Sequence, residues 1–219
     1  MIKLDILSDP ICPWCYIGKA HLDRALEAHP DHPFEIEWHP FQLNPDMPRD
    51  GVDRRTYLEA KFGGKAKAVE VYARVAQAAQ EAGVPLNLEG MERTPNTMDA
   101  HRLIHWAGLE GRQSAVVSAL FRAYFREGRD IGDSATLVTI AAACGMDAAM
   151  TERLLSTEAD LDDIAARDVH ARERGVTGVP CFVIANQYVV TGAQPPQVWA
   201  QVIDELRTAQ PAPAGTAQE

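Results

Sequence analysis

The chain opens with Ile2-Lys3-Leu4-Asp5-Ile6-Leu7-Ser8-Asp9-Pro10-Ile11-Cys12-Pro13-Trp14-Cys15. Ile2 to Leu7 alternates apolar and polar residues and then meets Ser8-Asp9-Pro10, which predicts a strand running into a loop. Leu4 and Ile6 share one face of that strand, and Asp5 lies on the other. Beyond Cys15, Tyr16, Ala20, Leu22, Leu26 and Ala28 are set among Lys19, Asp23, Arg24 and Glu27. That spacing predicts a helix ending near His29-Pro30. Phe34-Glu35-Ile36-Glu37-Trp38 alternates again and predicts a second strand. The opening is therefore β-α-β, two parallel strands joined by a crossover helix. Two cysteines sit where the first strand gives way to that helix.

Downstream the pattern changes. After Asn44-Pro45-Asp46-Met47-Pro48 the periodicity is helical. The stripes are Val69, Tyr72, Ala76 and Ala79; Leu103, Ile104 and Ala107; Val116, Val117, Leu120, Phe121, Tyr124 and Phe125; Leu137, Ile140, Ala141 and Cys144; and Leu161, Ala165 and Val169. These predict five or six helices with no strand signal between them, capped at Asn96, Asp133 and Asp147. Cys181-Phe182-Val183-Ile184-Ala185 and Tyr188-Val189-Val190-Thr191 then predict a hairpin with Asn186-Gln187 as a two-residue loop. Pro195-Pro196 opens a last helix bearing Val198, Val202 and Leu206. The expected architecture is α/β, a thioredoxin-like mixed sheet with a large all-α insertion. Residues 1–44 and 158–210 would form the discontinuous thioredoxin-like domain, 45–157 the inserted helical domain, and 211–219 a disordered Pro/Ala/Gly-rich tail.

The chain has 219 residues, a hydrophobic share of 46% and a net charge of -10. An acidic chain without a basic cluster is a poor partner for nucleic acid or an anionic membrane. No apolar run approaches the roughly 20 residues of a membrane span. The charged N-terminus does not read as a signal segment, so a cytoplasmic location is expected. The sequence indicates no oligomeric state.

Four cysteines are present, Cys12, Cys15, Cys144 and Cys181, too few for a disulfide scaffold. A thiol at a helix N-terminus faces free N–H groups and the positive end of the helix dipole, which favour thiolate. Cys12 is thus expected as an exposed nucleophile and Cys15, one turn on, as a buried resolving thiol. Pro13 suits the first helical turn. Trp14 offers a flat apolar surface to a substrate. A zinc site would need further ligands, which His21, His29, Cys144 and Cys181 do not supply at a suitable spacing, so no metal is expected.

Gly175-Val176-Thr177-Gly178-Val179-Pro180 leads into the hairpin. A proline there is a candidate cis peptide that would open the Val179 backbone to an extended substrate chain; a trans proline starting an edge strand is the alternative. Cys181 is either a third thiol near the pair or a buried strand residue. Cys144 reads as core. Asp5 and Asp9 are the nearest carboxylates to the cysteines, and either could take the proton of Cys15. His39, at the end of the second strand, is a candidate proton-transfer group. His101 and His105 have a metal-compatible spacing but no third ligand, and read as ordinary helix residues.

Ser8-Asp9-Pro10-Ile11-Cys12-Pro13-Trp14-Cys15-Tyr16-Ile17-Gly18 resembles the active-site segment of the FrnE-like branch of the DsbA family. Pro40-Phe41-Gln42-Leu43-Asn44-Pro45, Asn96-Thr97, Ala100-His101-Arg102-Leu103, Gly178-Val179-Pro180 and Gly192-Ala193-Gln194-Pro195 resemble other segments of that branch. The resemblance covers nearly the whole chain apart from the tail. It implies a thioredoxin fold with a helical insertion, Cys12 as nucleophile, Cys15 as resolving thiol and Pro180 as cis. Two departures stand out. Cys181 follows the proline where the branch leads one to expect an aromatic residue, and the second, C-terminal cysteine pair of some members is absent.

The expected activity is thiol–disulfide exchange on protein or small-molecule disulfides, with no cofactor beyond the redox-active cysteines and glutathione as an eligible co-substrate. The alternative is a glutathione-dependent isomerase or transferase of the kappa or 2-hydroxychromene-2-carboxylate isomerase type. That group usually carries serine at the nucleophile position, which Cys12 with Cys15 argues against. A non-catalytic binding module would need neither thiol.

Overall fold

A computed structural model describes residues 1–209; the predicted tail at 211–219 lies outside them. The elements run β1 (Ile2–Ser8), α1 (Pro13–Ala28), β2 (Phe34–Pro40), β3 (Val52–Asp53), α2 (Arg54–Phe62), α3 (Lys65–Glu81), β4 (Arg93–Thr94), α4 (Met98–Leu109), α5 (Gln113–Phe125), α6 (Ser134–Ala143), α7 (Ala148–Leu155), α8 (Leu161–Glu173), β5 (Cys181–Ile184), β6 (Tyr188–Thr191) and α9 (Pro196–Ala209). The main sheet has the order β2-β1-β5-β6. β1 pairs parallel with β2 and antiparallel with β5, and β5 pairs antiparallel with β6. This is a thioredoxin-like mixed sheet carrying a helical insertion.

The period-2 pattern of β1 sets the two faces of the sheet. Leu4 and Ile6 are fully buried in the main core with Phe182, Ile184, Trp199 and Ile203. The Phe182 and Trp199 rings meet edge to face with centroids 4.7 Å apart. On the opposite face, Leu7 and Cys181 pack with Phe41 and with Ala171 of α8 in a separate cluster. The insertion is tied to the sheet edge at Trp38. Gln113 accepts from the Trp38 N–H at 2.8 Å and donates to its carbonyl at 3.0 Å, standing in for a neighbouring strand.

Several expectations need correction. The inserted block holds a two-stranded ribbon, β3 with β4, that the sequence pattern did not signal. Two-residue strands are too short for alternation to register. The hairpin turn is centred on Ala185-Asn186 rather than Asn186-Gln187; both residues are left-handed, with φ of 54° and 57°, and the Gln187 N–H bonds the Ile184 carbonyl at 3.0 Å. Val69 and Val169, counted in apolar stripes, are 61% and 52% exposed. The buried faces of their helices carry Ala68, Val75 and Ala79, and Ile164, Asp168 and Ala171. The capping side chains of Asp133 and Asp147 accept from Thr136 and Met150 at 2.8 Å. Asn96 stands one residue before the α4 cap position and accepts from the Met98 N–H at 2.8 Å.

Candidate active site

The strand-to-helix junction places Cys12 at the cap position of α1, with Pro13 as the first helical residue. The Tyr16 N–H reaches back to the Cys12 carbonyl at 3.2 Å, and the Cys12 N–H to the Asp9 carbonyl at 2.9 Å. The peptide bond between Val179 and Pro180 is cis. Across it, the Cys12 thiol donates to the Val179 carbonyl at 3.6 Å. The hairpin is thus folded against the helix terminus, joining two ends of the chain at one sulfur.

Cys12 is not the exposed thiol that the sequence suggests. It is 3% exposed and Cys15 is 1% exposed, whereas Trp14 is 40% exposed. The Val179 loop covers the sulfur, a contact that local spacing cannot reveal. Burial, reinforced by the neighbouring Cys12, pushes the Cys15 thiol well above the ordinary cysteine range; the Asp9 backbone N–H and the Ser8 hydroxyl pull weakly the other way. Burial thus favours the thiol form of Cys15.

Cys181 does not join the pair. It lies opposite Leu7 in the sheet register, in the cluster on the α8 side, while Cys12 and Cys15 lie in the main core. Burial raises its pKa. Cys144 ends α6 and is partly buried.

Asp5 and His39 also face the α8 side. The Arg167 guanidinium, which can only donate, lies 3.4 Å from His39 Nδ1 and 3.1 Å from His105 Nδ1. His39 Nε2 accordingly donates to Asp5 at 2.6 Å. Asp5, Glu37 and His39 bring ligand-type atoms within 4.8 Å of one another. Lys3 lies 3.2 Å from Asp5 and 2.8 Å from Glu37, a cation set between the two carboxylates. Lys3, Asp5, His39 and Arg167 border a groove of about 870 Å³ between α8 and the sheet that extends to Val179 and Pro180.

The buried carboxylate behind the cysteine loop is Asp9, fully buried. It accepts from the Leu43 N–H at 2.7 Å and the Ile11 N–H at 3.3 Å. His101 Nε2, also buried, lies 3.8 Å from the same carboxylate. Asp168 accepts from the Gln42 N–H at 2.7 Å. Two inward carboxylates thus hold the 40–45 segment against the active-site loop. Desolvation pushes Asp9 up to about 7 and His101 down to about 4. Sequence reading took His101 as an ordinary helix residue. The available signal was its place one turn before Ile104, on the same helix face.

A redox-type cysteine pair at a strand-to-helix junction, facing a cis-proline loop, defines a thioredoxin-fold protein of the oxidoreductase type. The chain belongs to the family described as the DSBA-like thioredoxin domain, which matches residues 3–204. It is 32% identical to a probable DsbA oxidoreductase from Streptomyces coelicolor, with a TM-score of 0.85 over 98% of this chain and 93% of that one. The fold is also similar to a 2-hydroxychromene-2-carboxylate isomerase, at 19% identity and a TM-score of 0.72 over 94% and 96% of the two chains. A cytosolic disulfide reductase, DsbM from Pseudomonas aeruginosa, gives 21% identity and a TM-score of 0.70 over 94% and 100%. DsbM has also been solved with GSH. Among the described residues, no helix is long and apolar enough to cross a membrane.

Proposed function

We propose that the chain carries out thiol–disulfide exchange through Cys12 and Cys15, as an oxidoreductase of the FrnE-like branch. The observation that carries this reading is the position of Cys12, at the cap of α1 with its thiol against the Val179 carbonyl. In the oxidative half of the cycle, a thiolate on the substrate attacks the Cys12–Cys15 disulfide at Cys12. Cys15 leaves as thiolate and takes a proton, and a second substrate thiolate releases Cys12 with formation of the substrate disulfide. Two electrons pass to the enzyme, and the same steps reversed reduce a substrate disulfide.

Four other predicted residues have parts in this scheme. Pro13 starts the helix, Trp14 lends an apolar face to the substrate, and Val179 with Pro180 receives an extended chain by strand pairing. No cofactor is required beyond the cysteines; the GSH-bound DsbM structure supports glutathione as a co-substrate. The cytosolic setting stated for DsbM supports a cytoplasmic location. The glutathione-dependent isomerase reading is weaker, because isomerisation has no use for a resolving thiol one helical turn behind the first.

Trapping tests the reading. The Cys15→Ser protein should accumulate mixed disulfides on Cys12 when given disulfide substrates, and Cys12→Ser should accumulate none. Full activity in Cys12→Ser would contradict it.

A further inference from the structure

Two arginines of the described chain are buried, and they are used differently. Arg102, fully buried, spends its guanidinium on Asp99 and on the carbonyls of Ala159, Leu154 and Thr157, at 2.6 to 2.9 Å. Arg54, 6% exposed, makes one side-chain bond, from Nη1 to the Tyr124 hydroxyl at 2.9 Å. Its Nη2 is buried and has no partner among the described residues. Its charge rests instead against the rings of Tyr72 and Tyr124, at 5.0 and 5.8 Å from their centroids. Buried charges are ordinarily paired, because an unpaired donor on a cation loses its hydration without replacement.

Packing links this guanidinium to α1, the helix that Cys12 caps. Ile17 of α1 packs with Ala79 and Ala82 at the end of α3, and Arg24, further along α1, donates to the Ala82 carbonyl at 2.8 Å. α3 therefore runs against α1. Tyr72 lies seven residues before Ala79 on α3, about 10 Å back along its axis. The Tyr124 that receives Arg54 packs edge to face on Phe125, with centroids 4.9 Å apart, and Phe125 stacks on Tyr16, one turn beyond Cys12, at 5.5 Å. A second unused donor stands nearby. Asn44 accepts from Tyr57, on the same α2 face as Arg54, at 2.6 Å, and its own Nδ2 is buried without a partner.

We propose that Arg54, with Tyr72 and Asn44, forms a subsite for the carboxylate of a small thiol of the glutathione type, held while its sulfur reacts at Cys12. This deepens, and rests on, the exchange activity proposed above. A guanidinium with free N–H groups matches a carboxylate in geometry and charge. The burial of both Arg54 and Cys12 favours a slender ligand over a protein surface. In the reaction, the thiolate of one glutathione attacks the Cys12–Cys15 disulfide, giving a Cys12–glutathione mixed disulfide and Cys15 thiolate. A second glutathione thiolate then attacks the glutathione sulfur of that mixed disulfide, so that oxidised glutathione leaves and two protons end on Cys12 and Cys15.

The test is the rate at which the oxidised full-length protein is reduced by glutathione and by glutathione diethyl ester, whose carboxylates are masked. The chain carries a net charge of -10, so overall electrostatics favour the ester. The proposal predicts that glutathione is faster by about tenfold or more. It further predicts that Arg54→Met brings that ratio close to one, with Arg54→Lys in between. Equal rates for the two thiols in the parent protein would overturn the proposal, and that comparison stands even if the variants fail to fold. A ratio unchanged in a folded Arg54→Met would show a structural guanidinium only. Arg54 dependence seen with an acidic disulfide peptide but not with glutathione would also overturn the small-thiol assignment. Failure of the exchange reading itself is distinguishable: the parent protein would then be reduced by neither thiol nor by dithiothreitol.

Discussion

The Cys12 thiol and the Val179 carbonyl, 167 positions apart in the chain, meet at 3.6 Å with sulfur as donor. A thiolate cannot donate, so this contact belongs to the thiol form of Cys12. The Cys12→Ser variant keeps an O–H donor in the same place. It should fold with a Tm near that of the parent while exchange falls at least about a hundredfold. Turnover of a disulfide substrate alongside thermal unfolding checks both halves.

Gly18 meets the same loop from the helix side. A Cβ there would stand 3.1 Å from Pro180 Cγ and 3.4 Å from Ala193 Cα. A proline ring has little freedom to move aside, so Gly18→Ala should push α1 and the loop apart. The expected cost is about 1–3 kcal/mol, or roughly 2–4 °C of Tm per kcal/mol for a chain of this size, with slower exchange. Unchanged stability would mean that the contact is looser than the structure shows.

Cys181 should be dispensable for the redox couple, because it packs with Leu7, Phe41 and Ala171 away from Cys12 and Cys15. Cys181→Ala is expected to lower stability by about 1 kcal/mol through lost packing and to leave exchange rates within about twofold. A disulfide between Cys181 and Cys12 in the oxidised protein would contradict this placement.

The Asp9–His101 pair gives a pH signature. Folded, Asp9 titrates near 7 and His101 near 4, against about 3.9 and 6.5 unfolded. Between pH 4 and 6.5 the pair binds about one proton in either state, so its contribution to stability is nearly flat there. Asp9→Asn leaves the depressed histidine alone. That contribution is present above about pH 6.5 and lost as pH falls towards 4. His101→Gln leaves the raised carboxyl alone. That contribution is present below about pH 4 and lost as pH rises through about 7. Each slope is about 1.4 kcal/mol per pH unit. Urea unfolding from pH 4 to 8 should show opposite slopes for the two variants; slopes of the same sign would contradict the two opposed shifts.

Much of the fold was legible because β1, β2 and the helical stripes are long enough for their periods to register. The cysteine pair was legible because both residues and the junction that holds them are local in sequence. What escaped depends on distant packing. Val179, from the other end of the chain, covers Cys12. Asp9 and His101 meet across 92 positions (101 − 9) with nothing local to announce it. Arg54 reads as an ordinary charged residue at the start of a helix until the tyrosines of α3 and α5 close over it. Val69 and Val169 misled because a single apolar residue at helical spacing does not say which face is buried.

The central claim is tested most directly by a redox titration of the intact protein with all four cysteines followed by mass-resolved thiol labelling. Cys12 and Cys15 should titrate together in one reversible two-electron step, close to 30 mV per tenfold change in ratio, while Cys144 and Cys181 stay as thiols throughout. The absence of a reversible step, or the pairing of Cys12 with any cysteine other than Cys15, would contradict the account.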